Sequence, residues 1–126
     1  MTISVAARKS KGRKLQYWVC EKISAAIGIP WKQDDDNSLI QSRPGGQSGV
    51  DVILRGEAQT RFKYSIECKN QETWSVHAWV KQAKANQKEG TDWLIVAKRS
   101  REDEVVIMDA ERFFDFLKTN IFLNKK

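Results

Sequence analysis

Residues 49–71, GVDVILRGEAQTRFKYSIECKNQ, constrain the fold more than any other stretch, because two segments with strand-like alternation each carry ionisable side chains. Side chains alternate across a strand, so in YSIECKN Glu67 and Lys69 share one face while Tyr64, Ile66 and Cys68 point the other way, toward a core. In GVDVIL the same alternation sets Asp51 against Val50 and Val52. The two segments, Val50–Leu54 and Phe62–Lys69, are joined by the hydrophilic RGEAQTR. If they pair, as so short a connection implies, two carboxylates and an ammonium meet at one place on a sheet.

The surrounding chain supplies the rest of a layered domain. From Lys11 onward Leu15, Trp18, Val19, Ile23, Ala26 and Ile27 recur at three- and four-residue steps, which predicts an amphipathic helix ended by Gly28 and Pro30. A turn-rich stretch follows, with a short strand around Ser38–Ser42, and its Asp34, Asp35 and Asp36 read as a solvated loop, a metal site there being the lesser alternative. Val76, Trp79, Val80 and Ala83 predict a second helix with Gly90 as its C-cap. WLIVAK and EVVIMD predict two buried strands about a charged turn, and Asp109 can cap a last helix through AERFFDFLK. The order helix, strands, helix, strands, helix is that of an α/β sandwich around a mixed sheet.

Size and charge narrow the class. A chain of 126 residues, 40% hydrophobic and 30% charged, is one globular domain's worth, with no apolar run near the roughly 20 residues of a membrane span. The N-terminus lacks the apolar length of a secretory signal, so the cytoplasm is the expected address. Cys20 and Cys68 form no CxxC or Cys/His cluster, and buried reduced thiols are expected. The net charge of +6 favours a polyanionic partner. Arg8, Lys9, Lys11, Arg13 and Lys14 stand in a stretch without acids, suited to a phosphate backbone, and residues 1–10 are expected to be a flexible basic arm before a single domain over 11–126. Arg43, just upstream of Asp51, can reach a neighbouring phosphate or serve as an ordinary loop cation; Lys81, Lys84 and Lys88 can contact flanking backbone or form a solvated helix face. Trp18, Trp79 and Trp93 are expected in the core, Trp31 and Trp74 beside loops where they could touch a base or a partner, and His77 on a helix surface.

Two carboxylates held together near a sheet repel, and the arrangement is stable with a cation between them or a proton taken up. Lys69 supplies one positive charge; Mg²⁺ would supply more, taking Asp51, Glu67 and the backbone carbonyl of Cys68 with waters and phosphate oxygens. An Asp, Glu, Lys network of purely structural role satisfies the same spacing.

GVDVIL followed by SIECKN resembles the PD-(D/E)xK nuclease signature. With the opening KGRKLQYWVCEKI, SIECKNQETW and the glutamine-bearing WVKQAKANQ, residues 11–117 look like the small phage-type endonucleases of that superfamily, relatives of the archaeal Holliday-junction resolvases. The resemblance implies a restriction-endonuclease-like α/β core, a mixed β-sheet flanked by helices, and Mg²⁺-dependent phosphodiester hydrolysis, with Mn²⁺ able to substitute. It implies Asp51 and Glu67 as metal ligands, Lys69 as the residue that orients or activates the attacking water, and Gln82 as an active-site glutamine. Val50 replaces the signature proline, which shapes backbone and does no chemistry. Relatives of the resolvase type carry a glutamate where this chain has Gln16; a supporting contact is assigned to Gln16, and Glu21, five residues on and roughly 140° around the helix, is the lesser candidate ligand.

The resulting expectation is a structure-selective DNA endonuclease, four-way junctions leading, that acts as a homodimer because resolution needs two symmetric cuts. A nicking or repair endonuclease without junction preference is the rival within the class. A DNA-binding accessory protein of the same fold that has lost activity is the rival outside it.

Overall fold

The computed structural model describes residues 4–45 and 49–124. Helix α1 spans Val5–Ile27, starting six residues earlier than the apolar stripe alone indicates. Its N-cap is Ser4, whose Oγ accepts from the Ala7 N–H at 3.1 Å, and its end is Gly28 at φ 71°, whose N–H reaches the Ser24 carbonyl. Residues 5–10, expected as a flexible arm, are therefore helical, while residues 1–3 lie outside the described part.

Among the described residues five strands form one mixed sheet in the order β1 (Ile40–Ser42), β2 (Val52–Leu54), β3 (Tyr64–Asn70), β4 (Asp92–Lys98), β5 (Val105–Met108). Only β3 and β4 run parallel, over seven registered pairs from Tyr64↔Asp92 to Asn70↔Lys98. A parallel pair needs a crossover, and α3 (Val76–Asn86) provides it. α4 (Ala110–Asn124) closes the chain, capped by the Asp109 carboxylate on the Arg112 N–H at 3.2 Å as expected.

The sheet is sandwiched. On one face Leu15, Val19, Cys20 and Ile23 of α1 pack with Ile40, Val52, Leu54, Ile66, Leu94 and Val96. On the other, Trp79 and Ala83 of α3 pack with Trp93, Ile95 and Ala97. Strand β4 is apolar without alternation because it is covered on both sides. Both cysteines are free, and burial pushes the Cys20 thiol up to about 12.

Several expectations need correcting. RGEAQTR is not a plain connection: Glu57–Arg61 form a short helix, α2, that buries Ala58 and ties Arg61 to the Ile27 carbonyl at 2.8 Å. α3 ends at Asn86 with Gln87 as its C-cap, so Gly90, at φ 80°, shapes the next turn instead. Trp18 is 36% exposed with the Lys22 ammonium 5.4 Å above its ring, whereas Trp79 and Trp93 are buried as expected. β5 is an edge strand with Val105 and Val106 exposed, not a buried one.

Candidate active site

The site is made by a short pairing. β2 registers with β3 only through Val52↔Ile66, and beyond it the Asp51 N–H still reaches the Ile66 carbonyl at 2.9 Å before the two chains part. Past that point β3 continues to Asn70 paired with β4 on one edge and without a β2 partner on the other. The Asp51 carboxylate fills the place of the missing strand bond: Oδ2 accepts the Cys68 N–H at 2.7 Å. A residue's N–H and C=O leave a strand toward the same edge, so the Cys68 carbonyl also faces the Asp51 side.

Glu67 stands beside Asp51 and is only 2% exposed. Its Oε1 accepts from Asn86 Nδ2 at 2.8 Å, and two residues along the strand Lys69 Nζ donates to Gln82 Oε1 at 2.7 Å. The match is geometric. Four helical residues rise about 6 Å and two strand residues about 6.7 Å, so amides at 82 and 86 of α3 meet the side chains at 69 and 67 of β3 one to one.

Burial lifts both carboxyls above the ordinary range. For Glu67 desolvation dominates, the Asn86 amide opposes it and Asp51 adds to it, leaving the group at about 7. For Asp51 desolvation again leads, opposed by the Cys68 N–H, the Glu67 hydrogen bond, Lys69 and Arg43. Two carboxyls this close repel unless a proton or a cation stands between them. Two hard carboxylates and a carbonyl oxygen on one rim are a donor set that suits Mg²⁺ better than a soft metal. Among the described residues no group of three or more His, Cys, Asp or Glu side chains converges on a metal position.

A cleft of about 1140 Å³ opens on the other side of Asp51, between α1 and the β1–β2 edge. Lys9, Arg13 and Lys14 line its helical wall. Arg43 lies opposite, its N–H donating to the Asp51 carbonyl at 2.8 Å and its Nε to the Val50 carbonyl. Gly49, at φ 109°, permits this approach, since a Cβ there would sit 3.0 Å from Arg43 Nη2. Gln16 also lines the cleft and accepts a hydrogen bond from Ser42 Oγ, fastening α1 to β1.

Other sequence candidates lie elsewhere. Glu21 is exposed on α1 outside the cleft lining. Lys11 donates to Ser100 Oγ at 2.7 Å and sits 3.6 Å from Glu72, committed to the β4–β5 turn. Arg8, Lys81 and Lys84 are exposed on α1 and α3. The acidic loop of Asp34, Asp35 and Asp36 borders the cleft. His77 is exposed on α3, and Trp31 packs against Tyr17 at the cleft wall, ring centroids 5.8 Å apart and planes tilted by 44°.

Three site residues escaped the sequence reading. Asn86 could have been found from its four-residue spacing after Gln82. Arg55 and Tyr17 line the cleft through the β1–β2 and α1 geometry, for which the sequence holds no local signal.

No helix of the described residues is long and apolar enough to cross a membrane. No curated protein and no solved structure matches the chain. A family model described as "Phage putative PDDEXK endonuclease" matches residues 7–125, which include every side chain of the acidic pair, its lysine and the basic cleft, and the chain belongs to that family.

Proposed function

We propose that this phage PD-(D/E)xK endonuclease is a Mg²⁺-dependent, structure-selective DNA endonuclease whose leading substrate is a four-way junction. The observation that carries the metal dependence is the acidic pair itself: Asp51 and Glu67 are buried together with raised proton affinity, a cost that a hard cation would relieve. Bound there, Mg²⁺ supplies positive charge against a scissile phosphate and a water of lowered pKa.

The chain's residues do the remaining work. Asp51, Glu67 and the Cys68 carbonyl would hold the ion at the point where β2 and β3 part. Gln82 fixes the Lys69 ammonium over the same rim, where it can orient the attacking water and donate to the phosphoryl oxygens as charge develops. Asn86 holds Glu67 so that its second oxygen is free for the ion. Lys9, Arg13, Lys14 and Arg43 offer a phosphate track that ends at Asp51. Contacts of this kind position a backbone without reading bases, which favours selection by shape. A junction has two strands to cut and this chain has one acidic pair, so resolution calls for two copies related by a two-fold axis.

The test is incubation with labelled four-way junction and with linear duplex, in Mg²⁺ and in EDTA. Paired, metal-dependent cuts near the crossover are expected. Indiscriminate nicks on both substrates would leave a nicking or repair enzyme. DNA that is retarded but intact would leave a binding protein, the reading favoured by Gln16 standing where a third acid would complete a larger metal site.

A further inference from the structure

α4 is amphipathic, yet among the described residues its apolar side is left largely open. At about 100° per residue Phe113, Phe114, Phe116, Leu117 and Ile121 fall within an arc of roughly 160°, and Glu111, Arg112, Asp115 and Lys118 fall on the opposite arc. In a helix packed on its own sheet the first arc is buried. Here those five side chains are 39–56% exposed, and no residue of α4 whose burial is described is buried.

The strand before it is equally open. β5 is an edge of the sheet, and its VVIM carries none of the charges or prolines that normally blunt an edge. Val105 is 42% and Val106 58% exposed. α1 lies over β1, β2 and β3, at the far side from β5.

We propose that α4 and β5 form a self-association surface whose occupant is a second copy of this chain, placed by a two-fold axis. Area and charge favour that occupant. An aromatic side chain presents about 200 Å², so three half-exposed phenylalanines with the aliphatic residues beside them offer on the order of 600 Å² per copy. Two copies together reach about 1,200 Å², the lower bound of a stable interface, before any polar rim is counted. Charge excludes a nucleic acid as the occupant: within 110–124 the two acids Glu111 and Asp115 balance the two bases Arg112 and Lys118, whereas the whole chain carries +6. An isologous contact requires such a self-complementary patch, since like surfaces meet and a net charge would repel its own image. The location follows from the exposed residues alone; the need for two copies in catalysis rests on the junction reading.

Sedimentation velocity of the full chain at about 10 µM, a range in which interfaces of this size are populated, tests the surface. The wild-type protein is expected at twice the 14.5 kDa chain mass. Phe114→Glu with Phe116→Glu, and separately Val106→Lys, should sediment at the single-chain mass with unchanged circular dichroism. These variants touch no residue of the acidic site, so they should still nick junctions in Mg²⁺ while losing paired cuts. A wild-type protein of single-chain mass overturns the proposal, as does a dimer that survives both sets of substitutions. A dimer dissolved by them that never cuts a junction would instead overturn the junction reading and leave this surface standing.

Discussion

Glu67→Gln separates the cost of the acid from its shape. The amide is nearly isosteric: its oxygen can keep the 2.8 Å bond from Asn86, and its NH₂ can donate to Asp51 where the protonated acid does. What it removes is a titration. Burial, opposed by Asn86 and reinforced by Asp51, lifts the Glu67 carboxyl from an ordinary 4.5 to about 7. The folded chain therefore holds this proton more tightly than the unfolded chain. Below about pH 4.5 both states are protonated and the group leaves stability unchanged. As pH rises toward 7 the unfolded chain loses the proton first, and folding grows less favourable; above about 7 both states are ionised and the full penalty remains. At about 1.4 kcal/mol per unit, the lift corresponds to about 3 kcal/mol. Urea unfolding in EDTA across this pH range should show wild-type stability falling by about that amount more than Glu67→Gln, whose remaining slope is that of the buried Asp51, the two converging at the acid end. Added Mg²⁺ should restore the wild type at pH 8 and leave the variant unmoved. Parallel profiles, or a variant less stable than wild type at pH 8, would refute the argument from burial.

The other site residues give further expectations. Asp51→Asn keeps an oxygen for the Cys68 N–H but loses the negative charge, so junction binding measured by gel shift should persist while Mg²⁺-dependent cleavage falls by about a hundredfold or more. Asn86→Ala withdraws the one contact with another element that holds the Glu67 carboxyl down, so the pH midpoint of Mg²⁺-induced stabilisation should move upward relative to wild type. Arg13→Ala and Lys14→Ala should each weaken DNA binding alike on all sequences and reduce the slope of log affinity against log salt by about 1, read by anisotropy over a salt series.

Elements whose signal is local were legible in the sequence, and those set by neighbours were not. The apolar stripe of α1 and its Gly28 end, the doubly covered β4 and the Asp109 cap are each written within a few residues, and the structure reproduces them. α2 was missed because five residues without an apolar stripe carry no periodicity; what makes EAQTR helical is Ala58 entering the α1 layer and Arg61 reaching back to Ile27. The expected burial of β5 failed for the opposite reason. A run of β-branched residues reports that a strand is apolar, not whether a helix lies over it, and α1 lies over the other end of the sheet.

The acidic pair shows the same division inside one site. Strand alternation places Glu67 beside Lys69, and a short antiparallel connection brings Asp51 to them; both are two-residue rules readable from the chain. What turns the cluster into a candidate catalyst is that β2 registers with β3 at a single pair and then departs, leaving the Cys68 amide to the Asp51 carboxylate and the open edge to an ion. At the same point Gly49 stands at φ 109° and Arg43 grips the carbonyls of Val50 and Asp51, contacts between residues six to eight apart in the chain. Glu67 could sit exposed on a sheet face and satisfy the sequence pattern equally well. It is buried because the crossover between two parallel strands must lie across that face, so the topology that makes β3 and β4 parallel also sets Gln82 and Asn86 over Lys69 and Glu67 and gives the acids their raised proton affinity.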